Sequence, residues 1–147
     1  MSENLIRFEI TTPERVVLKE EVAQITVPTR NGEITILPNH IPLVSVLEPG
    51  VIEVIKSNGE REVMSVSGGF IEVLKDKVVI LADSAERAEE IDIDRAETAR
   101  QKAEDTKKNA EKMDHVEFAN LSAVIAKEMA RTRAAQKWRR LKGEKPN

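Results

Sequence analysis

The sequence has no cysteine and no tyrosine, and its 147 residues include only one tryptophan, three phenylalanines and two histidines. The absence of cysteine excludes disulfides, zinc–thiolate sites and thiol catalysis, and it fits a reducing cytoplasm. No apolar run approaches the roughly 20 residues that cross a bilayer. The N-terminal segment also lacks the basic and apolar pattern of a secretory signal. We therefore expect any association with a membrane to pass through a partner protein.

The motifs of common enzyme classes are also missing. His40 and His115 are far apart, and the sequence has neither an HExxH zinc motif nor a serine in a nucleophile elbow. The pair Gly68-Gly69 is followed by strand-like sequence and not by Lys-Ser/Thr, so it predicts a bulge or a close strand contact instead of a phosphate loop. We expect no catalytic residue, no metal site and no required cofactor.

Charge is unevenly distributed along the chain, whose formal net charge is -3. From Lys127 to Asn147 eight basic residues face only two acidic ones. This excess indicates that the last helix seeks an acidic surface. A solvated helix face, with the basic residues complementing the helix dipole, is the alternative.

The N-terminal half alternates apolar and polar residues in short segments rich in valine and isoleucine, which is typical of half-buried strands. Asn31-Gly32 and Asn58-Gly59 are dipeptides that favour tight hairpins through positive φ, and Asp76-Lys77 predicts another hairpin. Closely spaced strands of this kind predict an antiparallel β-sandwich, which we assign to residues 1–84.

The periodicity changes to that of helices after Asp92, which is placed to cap the first helix. Small residues then recur every three or four positions, at Ala96, Ala99, Ala103, Thr106, Ala110 and Met113, and again at Ala119, Ala123, Ala126, Ala130 and Ala134. Such stripes favour a two-helix antiparallel coiled coil over residues 85–147 that turns near Asp114. The fold is therefore predicted to be α+β, a β-sandwich followed by a helical hairpin. Because alanine contacts bury little area, the hairpin should be weakly held.

A second, larger apolar strip follows the same helix, with Phe118, Leu121, Ile125 and Met129 on one face. These residues have no evident partner within the hairpin. We expect the strip to pack on the sandwich or on another protein.

Four stretches carry a family resemblance that covers nearly the whole chain. They are Gly32-Glu-Ile-Thr-Ile-Leu-Pro-Asn-His-Ile-Pro-Leu43, Ser67-Gly-Gly-Phe-Ile-Glu-Val73, Val79-Ile-Leu-Ala-Asp83 and Ile91-Asp-x-x-Arg-Ala96. Because it contains these four stretches in this order, the sequence resembles the epsilon subunit of bacterial F-type ATP synthase. The resemblance implies a non-catalytic central-stalk subunit on the cytoplasmic face of the membrane, with the gamma subunit, the c-ring and the alpha and beta subunits as partners. It also implies coupling of proton flow to ATP synthesis and inhibition of ATP hydrolysis by the helices.

The resemblance further implies three groups of site residues. As a regulatory ligand, ATP would be bound by the Ile-Asp-x-x-Arg-Ala motif with nearby acidic and basic residues, namely Glu86, Ile91, Asp92, Arg95, Ala96, Lys102, Lys127 and Arg131. Lys102 and Lys127 are lysines where ATP-binding relatives often have arginine, so bidentate phosphate contacts are lost there. Contact with the c-ring would involve Thr12, Glu33 and His40. An inhibitory basic helix would present Arg131, Arg133, Lys137, Arg139 and Arg140.

Two other functions stay open on the residues alone. A nucleic-acid-binding protein would explain the basic tail, but the chain offers few aromatic residues for base stacking and its body is acidic. A non-catalytic adaptor or chaperone-like scaffold would explain the fold equally well, although not the four matching stretches.

Overall fold

The computed structural model describes residues 4–143. Nine strands come first, followed by a 3-10 turn at Ala88–Glu90 and two long helices. The strands are β1 Ile6–Thr11, β2 Val16–Thr29, β3 Gly32–Ile36, β4 Leu43–Leu47, β5 Gly50–Lys56, β6 Arg61–Val66, β7 Gly69–Val73, β8 Lys77–Ala82 and β9 Ala85–Arg87. The helices are α1 Ile93–Asn109 and α2 His115–Leu141. The predicted α+β order of strands and then helices is confirmed.

Neighbouring strands are hydrogen-bonded in the spatial order β1-β8-β7-β4-β2-β5-β6-β9, and β3 pairs with β2. The long strand β2 belongs to both layers, because its first half pairs with β1 and its second half with β3 and β5. A register shift between Val22 and Gln24 lets it turn from one layer to the other. The prediction of antiparallel pairing is wrong at one place, since β1 and β8 run parallel. There, β8 returns along the β1 edge that β2 leaves free.

The core lies between the two layers and is built from aliphatic side chains. Phe8 is the single aromatic residue among its largest fully buried members, and Ile10, Ile25, Ile52 and Ile80 are completely buried. Alternate residues of β1, β5, β7 and β8 are buried, as the period of two predicts, whereas β6 is buried on consecutive residues because α2 packs on its other face. The sandwich thus has its own core, separate from the helices.

The hairpin dipeptides form turns, but the geometry differs from the expectation. In the β5–β6 turn the positive φ falls on Gly59 alone, whose N–H donates to the Lys56 carbonyl at 3.0 Å. Gly32 likewise has positive φ while Asn31 does not. The side-chain oxygen of Asn58 instead accepts a hydrogen bond from the Glu60 N–H at 3.0 Å, and this hydrogen bond stabilises the turn.

The strand-to-helix transition lies where the sequence predicts it. Asp92 is the N-cap of α1, and its Oδ1 accepts the Arg95 N–H at 3.2 Å. Asp114 caps α2 in the same way, at 2.8 Å from the Glu117 nitrogen, so the turn of the hairpin is confirmed. The assignment of residues 85–147 to a separate domain stays a prediction, and strand β9, which begins at Ala85, pairs with β6 of the sandwich.

The two alanine stripes meet over part of their length. Ala96, Ala103, Ala130 and Ala134 are buried, whereas Ala119 and Ala123 near the turn are exposed. At that distal end Lys107 spans the helices, with its Nζ 3.0 Å from the Ser122 hydroxyl and 4.1 Å from the centre of the Phe118 ring. The larger apolar strip is only partly covered, since Phe118 and Met129 are 51% and 44% exposed while Leu121 and Ile125 are half-buried. No helix between Asn4 and Gly143 is long and apolar enough to cross a membrane.

Candidate functional site

The helical hairpin is attached to the sandwich through α2. This helix packs on β5, β6 and the 3-10 turn, while α1 lies against α2. An apolar cluster fills the contact, with Val51 and Val63 from the sandwich, Ala88, Ile91 and Ile93 from the segment that follows it, and Ala134, Ala135 and Trp138 from α2. Because two of its three residues are alanines, α2 itself contributes little apolar area. Ionic contacts surround this cluster.

Arg131 is the centre of these ionic contacts. Its Nε and Nη2 donate to the two carboxylate oxygens of Glu86 on β9, at 2.8 and 3.2 Å. Its Nη1 donates to Glu128, one turn earlier on α2, at 2.7 Å. Burial alone would lower the pKa of Arg131, but the two carboxylates outweigh burial and raise it. This bidentate contact fixes α2 to the last strand of the sandwich.

A second ion pair lies further along α2. Lys137 contacts Glu53 on β5, and the other oxygen of Glu53 accepts from Arg61 at 2.8 Å. Glu53 is largely covered, with 15% of its side chain exposed. Each of the two contacts therefore joins one cation of α2 to one carboxylate of the sandwich. We call Glu53 and Glu86 the sandwich carboxylates.

The structure gathers only part of the expected ATP-binding set. Glu86 and Arg131 are in direct contact, Ile91 and Ala96 are buried, and Asp92 caps α1. Arg95, Lys102 and Lys127 are exposed, and Lys102 lies on the open polar face of α1.

A nucleotide could therefore reach three exposed cations. The fourth cation, Arg131, already binds two carboxylates, so a phosphate would have to share Arg131 with them or displace them. Within residues 4–143, no group of histidine and acidic side chains could hold a metal ion.

The expected c-ring residues do not form one surface. His40 lies beside the β7–β8 hairpin, with its Nδ1 2.7 Å from the Ile41 carbonyl oxygen. Thr12 follows the opposite end of β1 and contacts the Arg15 carbonyl at 3.3 Å. Glu33 is exposed at the start of β3. It lies next to a row of residues that pair with one another across neighbouring strands, namely Thr29, Leu47, Gly69 and Ala82. This row ends on the side of the sandwich where Thr12 lies. Thr12 and Glu33 thus share one end of the sandwich and His40 lies at the other.

The inhibitory cations of α2 also divide into two sets. Arg131 and Lys137 face the sandwich, whereas Arg133 and Arg140 are exposed and Arg139 is half-buried with a partner of its own. Lys145, which contributes to the basic excess, lies outside the described residues. The helix therefore exposes only part of its positive charge in this state.

An apolar patch on the outer face of the sandwich was not predicted. Val46, Phe70 and Leu81 are direct partners across β4, β7 and β8, and they are 38%, 55% and 56% exposed. Val44, two residues from Val46 on the same face, is 72% exposed. We call these four residues the outer patch. The run Val78-Val-Ile-Leu-Ala82, which lacks polar alternation, is the signal that could have indicated it.

Similarity to known proteins agrees with this architecture. Residues 5–88 match the family described as "ATP synthase, Delta/Epsilon chain, beta-sandwich domain". The fold and the matched residues thus define a chain of the ATP synthase delta/epsilon class.

Individual relatives narrow the class further. An ATP synthase epsilon chain of Chloroflexus aggregans is 51% identical over 131 residues, which cover 89% of this chain and 92% of the relative. One from Herpetosiphon aurantiacus is 45% identical, covering 87% and 96%. A chain of the Euglena gracilis mitochondrial ATP synthase, solved with OSCP, F1 and c-ring, superposes with a TM-score of 0.75 at 27% identity, covering 86% of this chain and 79% of its own. This chain belongs to the family of ATP synthase epsilon chains.

Proposed function

We propose that this chain is a non-catalytic stalk subunit that docks through its sandwich on the gamma subunit of an ATP synthase. The observation that carries the proposal is the outer patch, four apolar side chains on neighbouring strands that the hairpin leaves uncovered. Contiguous exposed apolar surface of this kind marks protein interfaces. In the assembly, the chain would lie on the cytoplasmic face of the membrane without entering it.

Contact with the c-ring would use the end of the sandwich that carries Thr12 and Glu33. Glu33 is exposed at a tight turn, so it can reach a polar loop without rearrangement. His40 lies at the other end and is a separate candidate for a stalk contact. Through these contacts the subunit would link rotation of the ring, driven by proton flow, to the catalytic alpha and beta subunits.

Co-purification tests the docking proposal. Tagged full-length chain expressed in its own host should recover alpha, beta and gamma subunits. Charge reversal Glu33→Lys should leave that recovery intact and weaken ATP-driven proton pumping by the isolated complex. Recovery of chaperones or of no subunit would favour the adaptor function, and normal pumping by the variant would exclude Glu33 from the c-ring contact.

The hairpin would inhibit ATP hydrolysis when it leaves the sandwich and extends toward the alpha and beta subunits. Its support is the composition of α2, which contributes two alanines and one tryptophan to the apolar contact and carries five basic candidates, Arg131, Arg133, Lys137, Arg139 and Arg140. ATP would favour the folded hairpin by binding among Arg95, Lys102 and Lys127, since a ligand shifts an equilibrium only by binding one state better. Arg95→Ala should then raise the ATP concentration that releases inhibition, measured as hydrolysis rate against ATP. An unchanged concentration would leave the motif with only its helix-capping role.

A further inference from the structure

We infer that the sandwich carboxylates Glu53 and Glu86 act as internal acidic partners of Arg131 and Lys137 on α2. By binding these two cations, they set the fraction of molecules in which the hairpin is released from the sandwich. This inference rests on the proposed inhibitory role of the hairpin and adds the residues that restrain it. The restraint lies in the sandwich, outside the helix that would inhibit.

The geometry shows that the two contacts belong only to the folded hairpin. Glu86 is 45 residues before Arg131, and Glu53 is on β5, so both pairs exist because α2 lies on the sheet. Once α2 moves away, Arg131 loses both Glu86 contacts and keeps only Glu128 of its own helix. Arg131 and Lys137 then become available to carboxylates elsewhere. Folding onto the sandwich and binding an acidic partner therefore compete for the same side chains.

The two ion pairs matter for the position of α2 because this helix itself contributes few apolar atoms to the cluster, which otherwise consists of Val51, Val63, Ala88, Ile91 and Ile93. Ala134 and Ala135 contribute one methyl group each, and Trp138 is half-buried at the edge of the cluster. The Arg131 side chain is 19% exposed and that of Glu86 is 31% exposed. A pair that is mostly shielded from water and bidentate is stronger than a surface ion pair. The folded hairpin is thus held by the protein's own groups, without a nucleotide.

The single tryptophan provides a direct measurement of hairpin release. Trp138 packs at the contact between α2 and the sandwich, so release exposes its ring to water and to a quencher. Acrylamide is suitable because it is uncharged and does not respond to the changes in charge. The full-length, nucleotide-free chain would be compared with Glu53→Gln, Glu86→Gln and the double variant. Glu60→Gln is the matched control, since Glu60 is exposed on the β5–β6 turn and makes no ion pair among the described residues.

Each glutamine variant should increase the released population roughly tenfold and the double variant roughly a hundredfold, so quenching should rise from the parent chain to the single variants to the double variant. In the Glu60→Gln control, acrylamide should quench the tryptophan fluorescence to the same extent as in the parent protein. Circular dichroism must show that the sandwich and the helices stay folded in every variant. Quenching that is unchanged in the double variant would overturn the inference.

A second assay separates this inference from the proposed inhibition. Glu53→Gln, which lies outside the expected ATP-binding set, would be reconstituted into the complete ATP synthase and ATP hydrolysis measured. Stronger inhibition than with the parent chain supports both conclusions. Increased quenching with an unchanged rate of ATP hydrolysis would support the restraint of the hairpin by the sandwich carboxylates and would contradict the inhibitory role of the hairpin.

Discussion

Replacing Phe70 by alanine should weaken docking of the sandwich while leaving it folded. A buried phenylalanine covers roughly 150–250 Å², and Phe70 is 55% exposed, so a partner that covers its ring would bury roughly 100 Å² at this side chain. At about 25 cal/mol per Å² this area is worth roughly 2.5 kcal/mol, or about a 70-fold change in dissociation constant. The exposed position limits the change in unfolding free energy to about 1 kcal/mol.

The assay is titration of fluorescently labelled chain into ATP synthase from which the epsilon chain has been removed. Val16→Ala is the matched control, because Val16 is 54% exposed but lies outside the outer patch. Phe70→Ala should bind about 70 times more weakly and the control as well as the parent chain. Equal affinities for the two variants, with both proteins folded, would show that the outer patch is not the docking surface.

Three further substitutions test the fold itself. Gly69→Ala should cost at least about 3 kcal/mol, because its φ is +136° and a methyl group would overlap a carbonyl oxygen of β8; Gly59→Ala, with positive φ but open space around it, should cost only about 1–2 kcal/mol in urea unfolding. Glu97 has a pKa lowered first by Arg100 and then by the Thr132 hydroxyl. Its contribution to stability is therefore present above the ordinary pKa of 4.5 and is lost as pH falls through the lower folded value. Helix melting followed by circular dichroism should lose less stability on acidification in Glu97→Gln than in the parent chain; equal losses would contradict this assignment.

Local features were the part of the fold that the sequence could predict. The cap at Asp92 and the hairpin at Asn58-Gly59 depend on neighbours within a few residues, so their patterns are visible in a short window. The parallel pairing of β1 with β8 could not be read in this way, because about seventy residues separate the two strands. Its direction depends on how the whole sheet closes.

The candidate site shows the same limit more strongly. Glu86 and Arg131 were both named as residues of one site, but their direct pairing depends on the rotation of α2 on the sheet, which helical periodicity alone does not fix. The alanine stripes predicted contact along the whole hairpin, yet Ala119 and Ala123 are exposed because the larger residues Lys107 and Phe118 meet at that end. Long-range placement therefore decides which of the predicted groups are free to bind a partner.

In the proposed function, the sandwich docks on the ATP synthase and the hairpin inhibits ATP hydrolysis. The most direct measurement is the ATP hydrolysis rate of epsilon-depleted ATP synthase after addition of the full-length chain or of a chain ending at Glu90, which keeps strand β9 and its pairing with β6. Both chains should bind the complex, and only the full-length chain should lower the rate. Equal inhibition by the two chains, or no inhibition by the full-length chain at saturation, would contradict the claim.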